Sequence, residues 1–92
     1  MESRYGNRMS HVRDVVLRQL NDLVADDLVG RIRDEHRIIA DLGLTGDDAS
    51  FFAIDSMKEL GIRLPVRAWD DVETVGDAIR LLEKACEEGG VL

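Results

Sequence analysis

The sequence predicts a small all-α domain, a bundle of three main helices plus a short one. Three observations predict it. Apolar residues recur every three to four positions in three separate segments, the spacing that puts them on one face of a helix. No segment shows the two-residue alternation of a half-buried strand. The chain has 92 residues, 45% hydrophobic and 34% charged, which suits one soluble globular unit with a modest core.

Residues 1–9 carry no apolar period and are expected to form a flexible tail, leaving 10–92 as the single domain. Ser10 is placed to cap the first helix. Val12, Val15, Val16, Leu20, Leu23 and Val24 form its apolar face, and the helix should fray near Asp26–Gly30. Residues 30–44 form a long connection. Ile32, Ile38, Ile39, Leu42 and Leu44 are too apolar for an unattached loop and should pin it to the helices, with a helical turn near Glu35–Ala40.

Thr45 begins the second helix, which runs from about Asp47 to Leu60 and exits at Gly61. Asp48 closes a Thr-x-x-Asp capping box, and Asp47 and Asp48 place negative charge at the positive end of the helix dipole. Ala49, Phe52, Ala53, Ser56 and Leu60 share the core face, with Met57 at its edge. Phe51 and Ile54 point elsewhere. Two readings are open for that pair: an exposed interaction face, or a patch covered by the loop or another helix. Pro65 ends the helical conformation before it. Val66–Asp71 should hold a short helical turn anchored by Trp69. Thr74 and Asp77 then form a second capping box, and Val75, Ala78, Ile79, Leu82, Ala85 and Cys86 make the last apolar stripe, closed by Gly89-Gly90.

The net charge of −7 is uneven, with −1 in residues 1–46 and −6 in residues 47–92. An acidic second half repels nucleic acid and favours a partner with a basic patch. No run is long and apolar enough for membrane insertion and no signal peptide is seen, so the cytoplasm is the expected compartment. Cys86 is the single cysteine and reads as a small buried hydrophobe. Asp41, Asp47 and Asp48 lack the alternating acids of a calcium loop, and His11 and His36 lack companion ligands, so no metal site is expected. Ser10, His11 and Asp14 are close in sequence but read as surface residues rather than a catalytic triad.

Three ordered segments carry a family resemblance. Asp41-Leu42-Gly43, then Ile62-Arg63-Leu64-Pro65, then Thr74-Val75-Gly76-Asp77-Ala78-Ile79 follow one another with spacings that need no gap. In this the chain resembles acyl carrier proteins from about Ile32 to Leu82. The resemblance implies an acyl-carrier-like bundle. In that family a serine at the start of the second helix carries 4′-phosphopantetheine. By this register Gly46 occupies the serine position, nineteen residues before Pro65, and Thr45-Gly46-Asp47 stands where Asp-Ser-Leu is usual. Gly46 has no hydroxyl to form the phosphodiester, so 4′-phosphopantetheine is not expected as a cofactor. The Gly46-Asp47-Asp48-Ala49 run also resembles a family of uncharacterised bacterial acyl-carrier-like proteins.

The resemblance, with the serine missing, implies an acyl-carrier-like, non-catalytic interaction module. It would bind a protein partner, such as an acyl-carrier-dependent enzyme, through the start and outer face of the second helix. Asp47, Phe51, Ile54, Asp55 and Lys58 are the candidate contacts, with Glu59 adding charge. The alternative is an acyl or peptidyl carrier modified at another residue such as Ser50, one turn into the helix. An enzyme is disfavoured because no nucleophile, base and orienting group converge in the sequence.

Overall fold

A computed structural model describes residues 4–88, with side chains placed from residue 11 onward. Helices α1 (Arg4–Asn21), α2 (Gly46–Leu60) and α3 (Val75–Glu87) build an all-α bundle. Short 3₁₀ turns occur at Asp26–Leu28 and Val66–Trp69. Helix α1 is the common support, packing against both α2 and α3.

The core follows the apolar stripes. Val12, Val15, Val16 and Leu20 of α1, Phe52 of α2, and Val75, Ala78, Ile79, Leu82 and Ala85 of α3 are buried. Leu23, Leu60 and Cys86, also assigned to the interior, are half-buried and pack against this cluster. Trp69 meets the Phe52 ring edge-on, with centroids 6.1 Å apart and an interplanar angle of 80°. That contact anchors the short turn as its sequence suggested.

Both main capping boxes form. Thr45 Oγ1 accepts from the Asp48 amide at 3.1 Å, and Asp48 Oδ2 accepts from the Thr45 amide at 3.2 Å. At α3 the Asp77 carboxylate accepts from the Thr74 and Glu73 amides, both at 3.1 Å, while Thr74 Oγ1 accepts from the Asp77 amide. Gly61 closes α2 in the left-handed conformation, φ 70°, with its amide donating back into the last turn.

The 30–44 connection is stitched to the start of α3. The Ile38 amide donates to the Glu73 carbonyl at 2.9 Å, Val75 donates to His36 at 2.9 Å, and Gly76 donates to Asp34 at 2.8 Å. Ile38, Leu42 and Leu44 are buried beneath it. A Cβ on Gly76 would sit 3.3 Å from the Asp34 carbonyl oxygen, a tight contact that glycine avoids. A bidentate Arg13–Asp34 pair, at 2.8 and 2.9 Å, ties the same loop to α1. The guanidinium holds the Asp34 carboxyl below the usual carboxylate range.

Four expectations are corrected. Helix α1 begins at Arg4, so Ser10 lies within it rather than capping it, and only residues 1–3 of the expected tail lie outside the described residues. An apolar period reports a buried face, whereas good helix formers such as Arg and Met can extend a helix without one. The helix stops at Asn21, before the expected fraying point, and the Asn21 side chain accepts the Gly30 amide at 3.0 Å. The turn in the long loop is centred later than Glu35–Ala40, because Asp41 and Gly43 donate to Arg37 and Ile39. Ile39 does not pin the loop but remains 55% exposed. The Gly89-Gly90 stop lies outside the described residues.

Candidate interaction site

Helix α2 presents three faces. At about 100° per residue, Phe52 and Ser56 turn to the core, both fully enclosed. Asp47, Phe51, Ile54, Asp55 and Lys58 fall within an arc of roughly 100° on the opposite side. All five are exposed, with Phe51 at 60% and Ile54 at 45%. Neither the loop nor another helix covers Phe51, which settles the geometric question the sequence left open. Glu59 does not join this arc. It pairs with Arg18 and accepts from Gln19 of α1, and these partners lower its pKa.

The third face was not anticipated. Ala49, Ser50, Ala53, Ile54 and Met57 line one wall of a cavity of about 500 Å³. The second wall is the loop at Arg37–Ala40, and the third runs from Leu64 to Glu73 through Val66, Trp69 and Val72. Its lining is mostly apolar. Ile39, Ile54 and Val66, the last 86% exposed, bring large apolar side chains to it. The small side chains of Ala49 and Ala53 were the available signal. Alanine on a helix face leaves space there unless a neighbouring element moves in to fill it.

The start of α2 is open. Gly46 is exposed, and a Cβ there would meet no atom within 4 Å. Asp47 is exposed beside it, while Asp48 is committed to the cap. Ser50 is exposed and lies at the cavity edge. Asp41 accepts from the Arg37 amide at 2.7 Å, and this bond holds its carboxyl below the ordinary value. Asp41 and Asp48 therefore serve two separate local structures, the loop turn and the helix cap.

His36 Nδ1 accepts from the Arg33 amide at 3.0 Å, so it shapes the loop turn rather than facing the cavity. His11 and Asp14 are exposed on α1. No group of three or more His, Cys, Asp or Glu side chains placed to hold a metal occurs among the described residues. No described helix is long and apolar enough to cross a membrane. Comparison of the chain with protein-family models, with curated proteins and with solved structures returns no match.

Proposed function

We propose that this chain is an acyl-carrier-like, non-catalytic interaction module that lacks the phosphopantetheine serine. It binds a protein partner through the start and outer face of α2. The carrying observation is the exposure of Phe51 and Ile54 on the arc opposite the core, among Asp47, Asp55 and Lys58. Bulky apolar anchors inside a charged rim concentrate binding energy at a protein interface. The acidic balance of residues 47–92 favours a partner with a basic patch, such as an acyl-carrier-dependent enzyme.

The test is capture from the lysate of the native host by the parent chain and by the Phe51→Ser/Ile54→Ser variant. A specific protein retained by the parent and lost by a folded variant is the expected result. Equal capture by both would remove the outer face from the reading.

A second reading is favoured by one observation: Ser50 is exposed and borders the cavity. In this alternative the chain is an acyl or peptidyl carrier modified at Ser50. Incubation with coenzyme A and a broad phosphopantetheinyl transferase, followed by intact mass measurement, separates the two. The module reading expects no addition to the parent. Stoichiometric addition abolished by Ser50→Ala would establish the alternative. Gly46→Ser should fold normally, because the position has room for a side chain. Its modification would confirm the register that places residue 46 at the carrier serine.

A further inference from the structure

We propose that the cavity beside α2 receives a bulky apolar side chain from a partner segment that carries Lys or Arg on either side of that residue. This inference rests on the reading of α2 as a partner-binding helix and extends it from the outer face into the cavity.

Shape, rim and charge combine to select this occupant. The cavity of about 500 Å³ falls within the range of pockets that enclose a compact ligand or a large side chain. Ile39, Ile54 and Val66 line it and are also 55%, 45% and 86% exposed. A lipid tail held inside would leave much of that rim wet. A protein segment laid across the mouth would cover the rim and fill the interior together, as in the docking of an amphipathic helix into a groove. The segments supplying the walls, residues 37–40, 49–57 and 64–73, contain two basic and four acidic residues, a net charge of −2. All four acids, Asp55, Asp70, Asp71 and Glu73, are exposed, as are Arg37 and Arg67, so the acids outnumber the bases two to one around the mouth. This surround repels a fatty carboxylate and attracts Lys or Arg. It also opposes a second copy, since each chain brings a net charge of −7.

Ile54 belongs both to the outer arc and to the cavity wall. A partner helix lying along α2 could therefore contact Phe51 with one residue and insert another past Ile54. The outer face sets orientation and the cavity supplies the anchor.

The test is selection of a random peptide library displayed on phage against the immobilised full chain, followed by anisotropy titration of the leading peptide. The expected consensus is Leu, Phe, Met or Trp with neighbouring Lys or Arg, and its binding should weaken as salt rises. Ala53→Trp should fill the cavity and weaken binding at least about tenfold. Val66→Lys changes an exposed rim residue, so it tests the same cavity without disturbing the core, and should also weaken binding by about tenfold or more.

Failure to enrich any peptide, a consensus without basic residues, or indifference to both variants would overturn the proposal. Saturable binding of dodecanoate without peptide binding would assign the cavity to lipid and overturn it. Self-association abolished by Val66→Lys would assign the cavity to a second copy, with the same consequence. A leading peptide sensitive to Phe51→Ser but indifferent to both cavity variants would overturn the cavity proposal alone, leaving the outer-face reading intact.

Discussion

Replacing Asp77 with Ala should lower stability by about 1.5 kcal/mol at neutral pH. Its carboxylate accepts from the Glu73 and Thr74 amides and from Arg80 Nη2 at 2.7 Å. The two backbone donors are the main reason its pKa falls from 3.8 to about 2. Taken at face value, that shift corresponds to roughly 2.4 kcal/mol. The side chain is 32% exposed, and solvent screening brings the contribution toward about 1–1.5 kcal/mol. Loss of a helix cap independently gives about 0.5–2 kcal/mol. For a domain of this length the melting temperature should fall by about 6–12 °C.

The sign of the pH dependence is fixed by the depressed pKa. The contribution is complete above the unfolded value of 3.8 and is lost as pH falls through the folded value of about 2. Chemical denaturation of the parent and Asp77→Asn across that interval should show their stability difference shrinking with acid. Taking the difference removes the parallel titration of Asp34, Asp41 and Glu59, whose carboxyls are also held low. A constant difference across the interval, or an Asp77→Ala variant as stable as the parent at neutral pH, would refute this account of the cap.

Leu82→Ala should cost about 2–5 kcal/mol by denaturant titration, because Leu82 is fully enclosed among the three helices. Ser56→Ala should be neutral or stabilising by up to about 1 kcal/mol, since its enclosed hydroxyl has no hydrogen-bond partner among the described residues and Ala removes the desolvation penalty. Clear thermal destabilisation would show that this hydroxyl is satisfied in solution. Phe51→Ser/Ile54→Ser should cost less than Leu82→Ala, about 2 kcal/mol, because only the unexposed portions of the two side chains lose protein contact. A larger loss by calorimetry would assign the pair to the core.

The helices were legible because their buried faces repeat. Val12, Val16 and Leu20, and Val75, Ile79 and Leu82, announce both the elements and their inward sides. Thr45 with Asp48 and Thr74 with Asp77 announced two helix starts through local bonding alone. The beginning of α1 was hidden because helix extension beyond a core face leaves no apolar period. Ile39 was assigned to the interior because it is apolar and follows Ile38, although adjacent residues in a turn diverge. The outer arc could be read from helix geometry within one segment. The cavity could not, because it exists only where residues 37–40, 49–57 and 64–73 meet, and no local pattern encodes that juxtaposition.

The support of α2 and α3 by a common helix also separates the molecule into regions with different freedom to open. The segment 65–72 is held by short-range amide bonds, from Ala68 to Pro65, Asp70 to Arg67 and Val72 to Trp69, and by the Trp69–Phe52 contact. None of those bonds is shared with α1. Amides in this strap should exchange with solvent well before those facing α1 in α3, because none of its residues is fully buried, whereas α3 is anchored by Val75, Ala78, Ile79 and Leu82. The strap can therefore change the width of the cavity, within one molecule or by substitution over evolutionary time, without requiring the supporting helices to come apart.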